Sequence, residues 1–550
     1  MPEITIIANG QKVKTQAAAG ELALDVLSRE DVYVPTPCGG RGACGKCKIS
    51  VTTPDDLTGE LKTHDELACC YHLKEEAVLE VQAVRPRYLG GWEELQPVRK
   101  GQTLTEAALD IGTTTLAAAL FDATGEIVDR VTALNPQSRF GADVMSRIEA
   151  CRREAKSCED MHRLVVSEVT SLLKQLLKRQ QLSKVQNLLV SGNTTMLHLF
   201  LNVNPAPLGV SPYEPVFTEA KRLSGEDIKM VLSVDGDAPL ADEVYVLPSA
   251  SAFIGADLVA GALEEELEDK NGPTLLIDLG TNGEMVLSVP SNGLADAVSE
   301  EEENLPAALL AVSVPAGPAL EGGQMACGVG GVAGAVSHVK EFRGRLYLEM
   351  IEEEAGTESS NRNGEETALS GIGPAGTGPA GLTGSAYADL IALLLKRGMI
   401  DKSGCLKQNP FPLTGAITMG ASFNPDGEGR NLYLCQEDVR AFQLARAAVR
   451  AGIDRLLEKA GLKEEDVEEV ILAGGMGYFM SEESLLAAGL LPAAFEGKIR
   501  QAGNTSLLGA MKCASPQGQA QAERLAREIK TISLDDEAFE KSYLNEMNFR

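Results

Sequence analysis

Four cysteines near the amino terminus have the residue type and the spacing of iron–sulfur ligands. Cys38, Cys44 and Cys47 lie in the glycine-rich run CGGRGACGKC, and Cys69 follows in LACC. The first gap is one residue longer than in the C-x4-C-x2-C…C pattern that binds 2Fe–2S clusters. The glycines of the run can absorb the extra residue because they adopt left-handed backbone angles at little cost. The spacing therefore predicts a 2Fe–2S cluster held by these four cysteines.

Two alternatives remain open at this site. A structural zinc ion also takes cysteine ligands in a C-x2-C arrangement. Zinc sites usually contain two such pairs, whereas the second element here is the adjacent pair Cys69 and Cys70. Cys70 is the alternative fourth ligand of a cluster. Cys69 is preferred because Leu67-Ala68-Cys69 repeats the ending of ferredoxin-like domains.

Three glycine turns that follow apolar strands suit a nucleotide. The turn D-x-G-T-[TN] occurs twice, as DIGTTT at 110–115 and as DLGTNG at 278–283. Its Asp can hold Mg2+ directly or through water. Its Gly leaves room for a phosphate, towards which Thr hydroxyls and backbone N–H groups can point. A third turn, in ILAGGMGYF at 471–479, would let adenine or ribose lie against the backbone. One copy alone would suit an ordinary hairpin, but the three together predict phosphate and nucleoside binding.

The order of the three turns resembles that of the ASKHA superfamily, which includes acetate and sugar kinases, heat-shock chaperones and actin. Its members close two RNase-H-like halves on ATP. The resemblance implies ATP and Mg2+ as ligands. It also implies a set of binding residues: Asp110, Gly112, Thr113 and Thr114 in the first phosphate turn; Asp278, Gly280, Thr281 and Asn282 in the second; and Gly474, Gly475 and Gly477 at the adenosine.

Two glutamates are further candidates for orienting the attacking water or the metal. They are Glu284 in DLGTNGE and Glu321 in AGPALEG, and helix capping or a surface turn is the alternative role for both. With the two turn aspartates they complete the catalytic candidates, which are Asp110, Asp278, Glu284 and Glu321.

The residue pattern divides the chain into five parts. Residues 1–85 have short strands around one helix, the β-grasp layout of a 2Fe–2S ferredoxin, and residues 86–103 mix Pro, Gly and charge as a linker does. Repetition of the strand–turn–strand unit predicts two halves of one ATPase at 104–268 and 269–515, followed by a helical tail at 516–550. The predicted fold class is therefore a multidomain α+β and α/β protein, with a β-grasp ferredoxin domain before a duplicated RNase-H-like, actin-like ATPase.

Local patterns give three smaller predictions. Apolar residues at helical spacing indicate a long helix at about 142–180. Asp143 and Arg147 stand at i,i+4 on that helix, which favours an ion pair. His198 lies among apolar residues in MLHLF, which indicates a core histidine with its hydrogen bonds satisfied rather than a ligand.

The composition excludes several classes of partner. A net charge of −29 over 550 residues repels phosphate backbones, so we expect no nucleic-acid partner. No uncharged apolar run approaches the length of a membrane span. The start MPEITIIANG lacks a secretory signal, and the eleven cysteines form no disulfide scaffold. We therefore expect a cytoplasmic protein without a membrane partner.

A ferredoxin domain joined to an ASKHA ATPase resembles the reductive activators of corrinoid proteins. Beyond the cluster loop, the resemblance includes NPQSRFGADVMSRI at 135–148, VSGNTTMLHLF at 190–200, AGPALEG at 316–322 and DVRAFQLARAAVRAGI at 438–453. It implies that ATP helps to pass one electron from the 2Fe–2S cluster to a Co(II) corrinoid and so regenerates Co(I). The implied partners are a corrinoid-binding protein of a methyltransferase system and an upstream electron donor. Homodimerisation is left open.

Other functions fit parts of the same pattern. The chain could activate or reduce another low-potential metalloenzyme, or it could be a non-redox ASKHA kinase or chaperone-like ATPase whose N-terminal domain binds metal. One departure from the activators stands at GLTGSAYADL (381–390), where Thr383 and Ala386 replace residues of the family's G-[IL]-C-G-S-G. This departure bears on the partner more than on the ATPase.

Overall fold

Three large β-sheets follow one another along the chain in the computed structural model. The structure describes residues 1–8, 11–30, 32, 34, 42, 47–54, 61–81, 104–232, 239–290, 307–317, 319–322, 325–331, 334–342, 345–351, 379–413, 432–477 and 479–549. Cys38, Cys44 and the predicted linker at 86–103 lie outside these residues. Within them, no helix combines the length and the apolar character that crossing a membrane requires.

The first sheet belongs to the N-terminal domain. Its elements are β1 (Glu3–Ala8), β2 (Gln11–Gln16), β3 (Glu21–Leu22), α1 (Ala23–Arg29), β4 (Lys48–Pro54), β5 (Leu61–Leu67), β6 (His72–Leu73) and β7 (Ala77–Val81). The strand order is β2-β1-β7-β4-β5, with β1 and β7 parallel. Alternate strand residues such as Ile4, Ile6 and Val51 are buried in one core with Val26 and Leu27 of α1. This is the predicted β-grasp layout.

The second sheet, with its helices, forms what we call lobe I. Its elements are β8 (Leu104–Ile111), β9 (Thr115–Asp122), β10 (Ile127–Leu134), α2 (Val144–Arg153), α3 (Ala155–Arg179), β11 (Val185–Gly192), α4 (Thr194–Phe200), β12 (Lys221–Ser224), α5 (Glu226–Leu232), β13 (Ala241–Val246) and α6 (Ala256–Glu264).

The third sheet, with its helices, forms lobe II. The six strands of this sheet are β14 (Thr274–Leu279), β15 (Gly283–Pro290), β16 (Ala307–Val314), β22 (Glu469–Ala473), β23 (Ile499–Gly503) and β24 (Lys530–Thr531). Lobe II also contains a three-stranded sheet of β17 (Ala335–Phe342), β18 (Arg345–Met350) and β19 (Gly381–Leu382), and a two-stranded sheet of β20 (Phe411–Pro412) and β21 (Tyr433–Leu434). Its helices are α7 (Gly384–Lys396), α8 (Gln436–Ala460), α9 (Gly474–Gly477), α10 (Glu482–Ala487), α11 (Thr505–Lys512), α12 (Pro516–Glu528) and α13 (Glu537–Asn545).

The two lobes share one topology for five of their six sheet strands, whereas the sixth strands, β12 and β24, add at different edges. The strand order is β10-β9-β8-β11-β13-β12 in lobe I and β23-β22-β14-β15-β16-β24 in lobe II. In each lobe the first three strands form an antiparallel meander. Two later strands then add in parallel on the other side of the first strand. The repeat confirms the predicted pair of RNase-H-like halves.

The long helix predicted at 142–180 is two helices. Glu154 ends α2 and begins α3 in an extended conformation, with φ −145° and ψ 116°. The apolar face recognised in the sequence is nevertheless correct, because Val165, Val169 and Leu172 are buried against the lobe I sheet. A single extended residue leaves the apolar spacing of the following helix unchanged, so periodicity alone did not reveal the break.

Helices α6 and α11 cross between the lobes at a point where glycine is required. A Cβ atom placed on Gly509 of α11 would lie 2.0 Å from the carbonyl oxygen of Ala260 in α6. A Cβ atom on Gly261 of α6 would lie 2.9 Å from Thr505 Oγ1 in α11. The backbones therefore pack closer than any side chain permits, and this crossing sets the distance between the lobes.

We expect Gly509→Ala to destabilise the protein, although alanine favours a helix interior over glycine by about 1 kcal/mol. Steric overlap with the Ala260 backbone should outweigh that gain, since overpacking typically costs roughly 1–3 kcal/mol. Thermal unfolding followed by circular dichroism measures the effect. Gly330→Ala is the matched control because a Cβ there meets nothing within 4 Å. A melting temperature raised by Gly509→Ala would contradict the close helix crossing.

Candidate nucleotide and cluster sites

Each of the two D-x-G-T turns follows the first strand of its lobe and is closed by one backbone hydrogen bond. Gly112 N donates to Thr115 O at 3.0 Å, and Gly280 N donates to Asn282 O at 2.9 Å. Both turns are tight and lie at corresponding edges of the two sheets, but the first hydrogen bond spans three positions along the chain and the second spans two. This is the arrangement that the resemblance to the ASKHA superfamily implied.

The Glu321 carboxylate joins the two turns across the cleft between the lobes. Thr114 Oγ1 donates to its Oε2 at 2.9 Å, and Thr281 Oγ1 donates to its Oε1 at 3.1 Å. Burial raises the pKa of Glu321, although both hydroxyls stabilise the charged form. Glu321 thus lies between the two predicted phosphate turns rather than at a helix cap, and its catalytic role stays a prediction.

Asp110 is held by the start of the crossing helix α11. Asn504 Nδ2 donates to Asp110 Oδ2 at 2.8 Å, and Ser506 Oγ donates to Asp110 Oδ1 at 2.8 Å. Asn504 also caps α11 by accepting from Leu507 N at 2.8 Å. The first phosphate turn is therefore tied to the helix that sets the distance between the lobes. Spacing along the chain did not predict these contacts because they join residues at opposite ends of the ATPase.

The remaining candidate carboxylates gather around Asp278 at the end of β14. Burial, with the nearby charges of Asp257, Asp110 and Glu321, raises the pKa of Asp278 to about 8. Glu284 stands opposite Asp278 in the β14–β15 register. Burial and the charges of Asp257 and Asp278 raise its pKa well above the ordinary value. The structure thus brings together all four predicted catalytic carboxylates.

Asp257 is a member of this group that the sequence reasoning missed. Burial, followed by the charge of Asp110, raises its pKa to about 7. It lies in the first turn of α6, within the run GADLVAGAL at 255–263. That run repeats the glycine spacing of GNTSLLGAM at 503–511, which begins α11. This repeated spacing could have pointed to Asp257 in the sequence, since it marks α6 and α11 as equivalent helices that both start at the cleft.

These carboxylates are of the ligand type that Mg2+ takes in proteins. Within the described ranges, no three histidine, cysteine, aspartate or glutamate side chains converge closely enough to hold a metal ion. Mg2+ usually takes one or two carboxylates and fills its other positions with water and phosphate oxygens. A cation would also favour the charged form of these carboxylates, whose pKa values are raised by burial and then by their mutual repulsion.

The predicted adenosine turn contacts the second phosphate turn directly. Gly474 has a left-handed φ of 80°, and a Cβ atom there would lie 2.2 Å from Asp278 Oδ1. The contact arises because β22 and β14 are parallel neighbours, with Ala473 opposite Asp278. Gly475 and Gly477 follow in the short helix α9. Glycine is therefore needed at position 474 for both its backbone angle and its lack of a side chain.

Two of the four predicted cluster ligands lie side by side in the N-terminal domain. The Sγ atoms of Cys47 and Cys69 are 3.2 Å apart, and both residues are buried. Cys70 is exposed, with its Sγ atom 3.7 Å from that of Cys69. Gly42 has a left-handed φ of 70°, in keeping with the role predicted for the loop glycines. Two adjacent buried thiols suit two ligands of one cluster, and Cys69 is placed better for this than Cys70.

The predicted ion pair between Asp143 and Arg147 is wrong. Asp143 instead caps α2, where its Oδ1 accepts from Ser146 N at 2.7 Å. Arg147 turns inward and donates from Nη2 to Thr113 O at 2.6 Å. The helix start satisfies the carboxylate locally, so the guanidinium is left for the first phosphate turn.

The core assignment of His198 is confirmed. Its Nδ1 donates to Thr194 O at 2.7 Å, and its Nε2 accepts from Val216 N at 3.2 Å. The ring is fully buried and stacks on Phe217. Both ring nitrogens are thus occupied within lobe I.

Fold and site together define a β-grasp iron–sulfur domain followed by a two-lobed ASKHA domain. Residues 6–74 match the 2Fe-2S iron-sulfur cluster binding domain, 106–270 match the RACo middle region, and 272–550 match the C-terminal domain of RACo, the ASKHA domain. The chain belongs to the RACo family, the reductive activators of corrinoid proteins. The match at 6–74 supports a 2Fe–2S cluster over a zinc ion.

Individual relatives agree with this assignment. The chain is 30% identical over 454 residues to the corrinoid activation enzyme RamQ of Eubacterium limosum, covering 77% of this chain and 68% of the relative. It is 26% identical over 416 residues to the [Co(II) methylated amine-specific corrinoid protein] reductase of Methanosarcina barkeri, covering 73% of this chain and 68% of that relative. The solved structure of a reductive activator for a corrinoid, iron-sulfur protein has the same fold, with a TM-score of 0.64, 23% identity, and coverage of 100% of this chain and 98% of that one.

Proposed function

We propose that this protein is an ATP-dependent reductive activator that passes one electron from its 2Fe–2S cluster to the Co(II) corrinoid of a partner protein and regenerates Co(I). The observation that carries the proposal is the Glu321 bridge, because it brings the two phosphate turns face to face in a chain that also pairs Cys47 with Cys69. Corrinoid activation and Co(II) corrinoid reduction are the activities for which the two curated relatives are named.

In the nucleotide site, each group has a proposed task. Thr113 and Thr114, with Thr281 and Asn282, bind the phosphates of ATP, and the backbone of the turn that begins at Gly474 accommodates the adenosine. Asp110 and Asp278 hold Mg2+ directly or through water. Glu284 and Glu321 orient the metal or the attacking water. We add Asp257 to this group because the charge of Asp110 raises the pKa of Asp257, and the charge of Asp257 in turn raises the pKa of Asp278.

In the cluster site, the proposed ligands are Cys38, Cys44, Cys47 and Cys69. A bound 2Fe–2S cluster supplies a single electron at roughly −400 mV in plant-type centres. A Co(II) acceptor with a lower potential makes transfer uphill by about 1.4 kcal/mol for every 59 mV or so. Nucleotide can offset that cost only by binding differently to the docked and undocked states, so closure of the two lobes is the proposed coupling step.

The proposed domain limits are those predicted from the residue pattern, namely 1–85, a linker at 86–103, 104–268, 269–515 and a tail at 516–550. The proposed partners are a corrinoid-binding protein of a methyltransferase system and an upstream electron donor, in the cytoplasm, with homodimerisation left open. Alternatives without redox chemistry, a kinase or a chaperone-like ATPase, have no observation in their favour beyond the shared fold.

The direct test is reduction of a purified methylated-amine-specific corrinoid protein in its Co(II) state. The protein with reduced cluster should convert it to Co(I), followed by corrinoid absorbance, with ATP and Mg2+ but not without them. ATP hydrolysis should rise when the Co(II) protein is added. Equal reduction with and without ATP would remove the proposed role of the nucleotide, and a preparation free of iron would remove the proposal as a whole.

A further inference from the structure

Behind the first phosphate turn lies a segment, residues 135–147, that donates hydrogen bonds to three consecutive carbonyl groups of the turn. Asn135 donates from Nδ2 to Gly112 O at 2.8 Å and from its backbone N to Thr114 O at 2.8 Å. Arg147 donates from Nη2 to Thr113 O, between them, at 2.6 Å. We call Asn135 and Arg147 the carbonyl clamp. Both side chains are fully buried.

The clamp determines the direction of two backbone donors. In a trans peptide the C=O and N–H groups point in opposite directions. With the Gly112 and Thr113 carbonyls held towards the clamp, the N–H groups of Thr113 and Thr114 face away from it. The Thr114 hydroxyl reaches Glu321 in the cleft. A hydrogen bond accepted by a peptide carbonyl also strengthens the N–H donor of the same peptide. The clamp therefore both aims and polarises the groups that would meet a phosphate.

The Arg147 charge is buried among neutral acceptors. Besides Thr113 O, the guanidinium donates to Gly141 O at 3.0 Å, to Gln137 Oε1 at 3.2 Å and to Met196 Sδ at 3.1 Å. Burial lowers its pKa to about 9, and the charges of Asp143 and Glu321 only partly counter this effect. A buried charge without a directly bonded counter-ion is costly. An anion on the far side of the turn would lower that cost.

We propose that Asn135 and Arg147 are positioning residues for the first phosphate turn, and that the guanidinium of Arg147 attracts the nucleotide phosphates through the turn that it holds. The inference rests on the proposed nucleotide site and adds to it residues that lie behind the turn. Neither residue touches the nucleotide in this arrangement. Their effect passes through the Thr113 and Thr114 peptide groups.

The test compares binding of MgATP and of adenosine, which lacks phosphate, to the full chain and to three variants by isothermal titration calorimetry. Arg147→Met removes the charge and the hydrogen bonds, whereas Arg147→Lys keeps the charge. Arg152→Met is the matched control, because Arg152 lies on the same helix, is half-exposed and pairs with Glu149. We expect Arg147→Met to weaken MgATP binding about tenfold, because the charge-assisted hydrogen bond to Thr113 O that orients the turn is lost, and to leave adenosine binding unchanged. Arg147→Lys should recover most of the loss.

The outcomes separate this inference from the proposed function. If the unaltered chain does not bind MgATP, the proposed nucleotide site fails and the inference fails with it. If the unaltered chain binds MgATP and Arg147→Met binds it equally well, or loses MgATP and adenosine to the same extent, only the clamp is refuted. Should Arg147→Met not fold, hydrogen exchange in residues 110–116 of Asn135→Ala decides, because this variant loses the bond to Gly112 O and keeps the Arg147 charge. The clamp requires MgATP to protect these amides less in Asn135→Ala than in the unaltered chain, and equal protection would overturn it.

Discussion

Replacing Cys47 by serine is expected to remove the 2Fe–2S cluster and to abolish reduction of the corrinoid partner. The Cys47 thiol is fully buried beside that of Cys69, so no solvent ligand can take its place without opening the core of the domain. Iron content and visible absorbance measure the cluster, and Co(I) formation measures the activity. Hydrolysis of ATP without a partner should continue, because the cleft residues belong to lobes I and II.

Serine substitutions at other cysteines distinguish a cluster ligand from a cysteine that does not bind the cluster. Cys69→Ser should lose the cluster as Cys47→Ser does. Cys70→Ser should keep it, because Cys70 is exposed. Cys405→Ser, also exposed but in lobe II, controls for loss of a thiol in general. If Cys70→Ser lacked iron and Cys69→Ser kept the full iron content, the fourth ligand would be Cys70 and not Cys69.

Replacing Asp278 by asparagine is expected to lower ATP hydrolysis by about 100-fold or more, as loss of a group that orients a metal does. The residue lies in the second phosphate turn, against the adenosine turn at Gly474. Its carboxylate is surrounded by those of Asp257, Asp110 and Glu321. Hydrolysis assayed over a range of Mg2+ concentrations measures the effect, and excess Mg2+ should restore little of the rate.

The same substitution should stabilise the protein in the absence of metal and nucleotide. The pKa of Asp278 is raised to about 8, whereas an unfolded aspartate titrates near 3.9. Between these values the folded state holds a proton that the unfolded state has released, so the stability of the unaltered protein falls as the pH rises. The asparagine side chain does not titrate, so the stability of Asp278→Asn lacks this fall with rising pH. The gain in melting temperature of Asp278→Asn should therefore grow from pH 6 to pH 8 in EDTA.

Asp269→Asn is the matched control, since Asp269 is exposed and lies outside the cleft. It should leave both hydrolysis and melting temperature nearly unchanged at either pH. Asp278→Asn protein that hydrolyses ATP at the normal rate would exclude Asp278 from the metal site. A melting temperature that does not change with this substitution at pH 8 would show that burial and the neighbouring carboxylates do not raise the pKa of Asp278.

Much of the architecture could be predicted because it depends on local patterns. Two strand–turn–strand runs with D-x-G-T at the turn predicted the duplicated halves, because each pairs neighbouring antiparallel strands through a short local turn. The cysteine spacing of the N-terminal domain likewise predicted its cluster, since Cys44 and Cys47 stand only three positions apart in the sequence. These features need only a few consecutive residues, and the strand orders of the two lobes agree with them.

The amino-acid sequence by itself therefore determined the iron–sulfur domain, the duplicated ASKHA fold and the glycine turns at the cleft. Only the tertiary structure decided which distant side chains serve the turns. Asp257 joins the carboxylates because α6 begins at the cleft, and Arg147 reaches Thr113 because the start of α2 already satisfies Asp143. Such contacts depend on how strands and helices pack across large separations along the chain, and the residue spacing within a single element does not specify that packing.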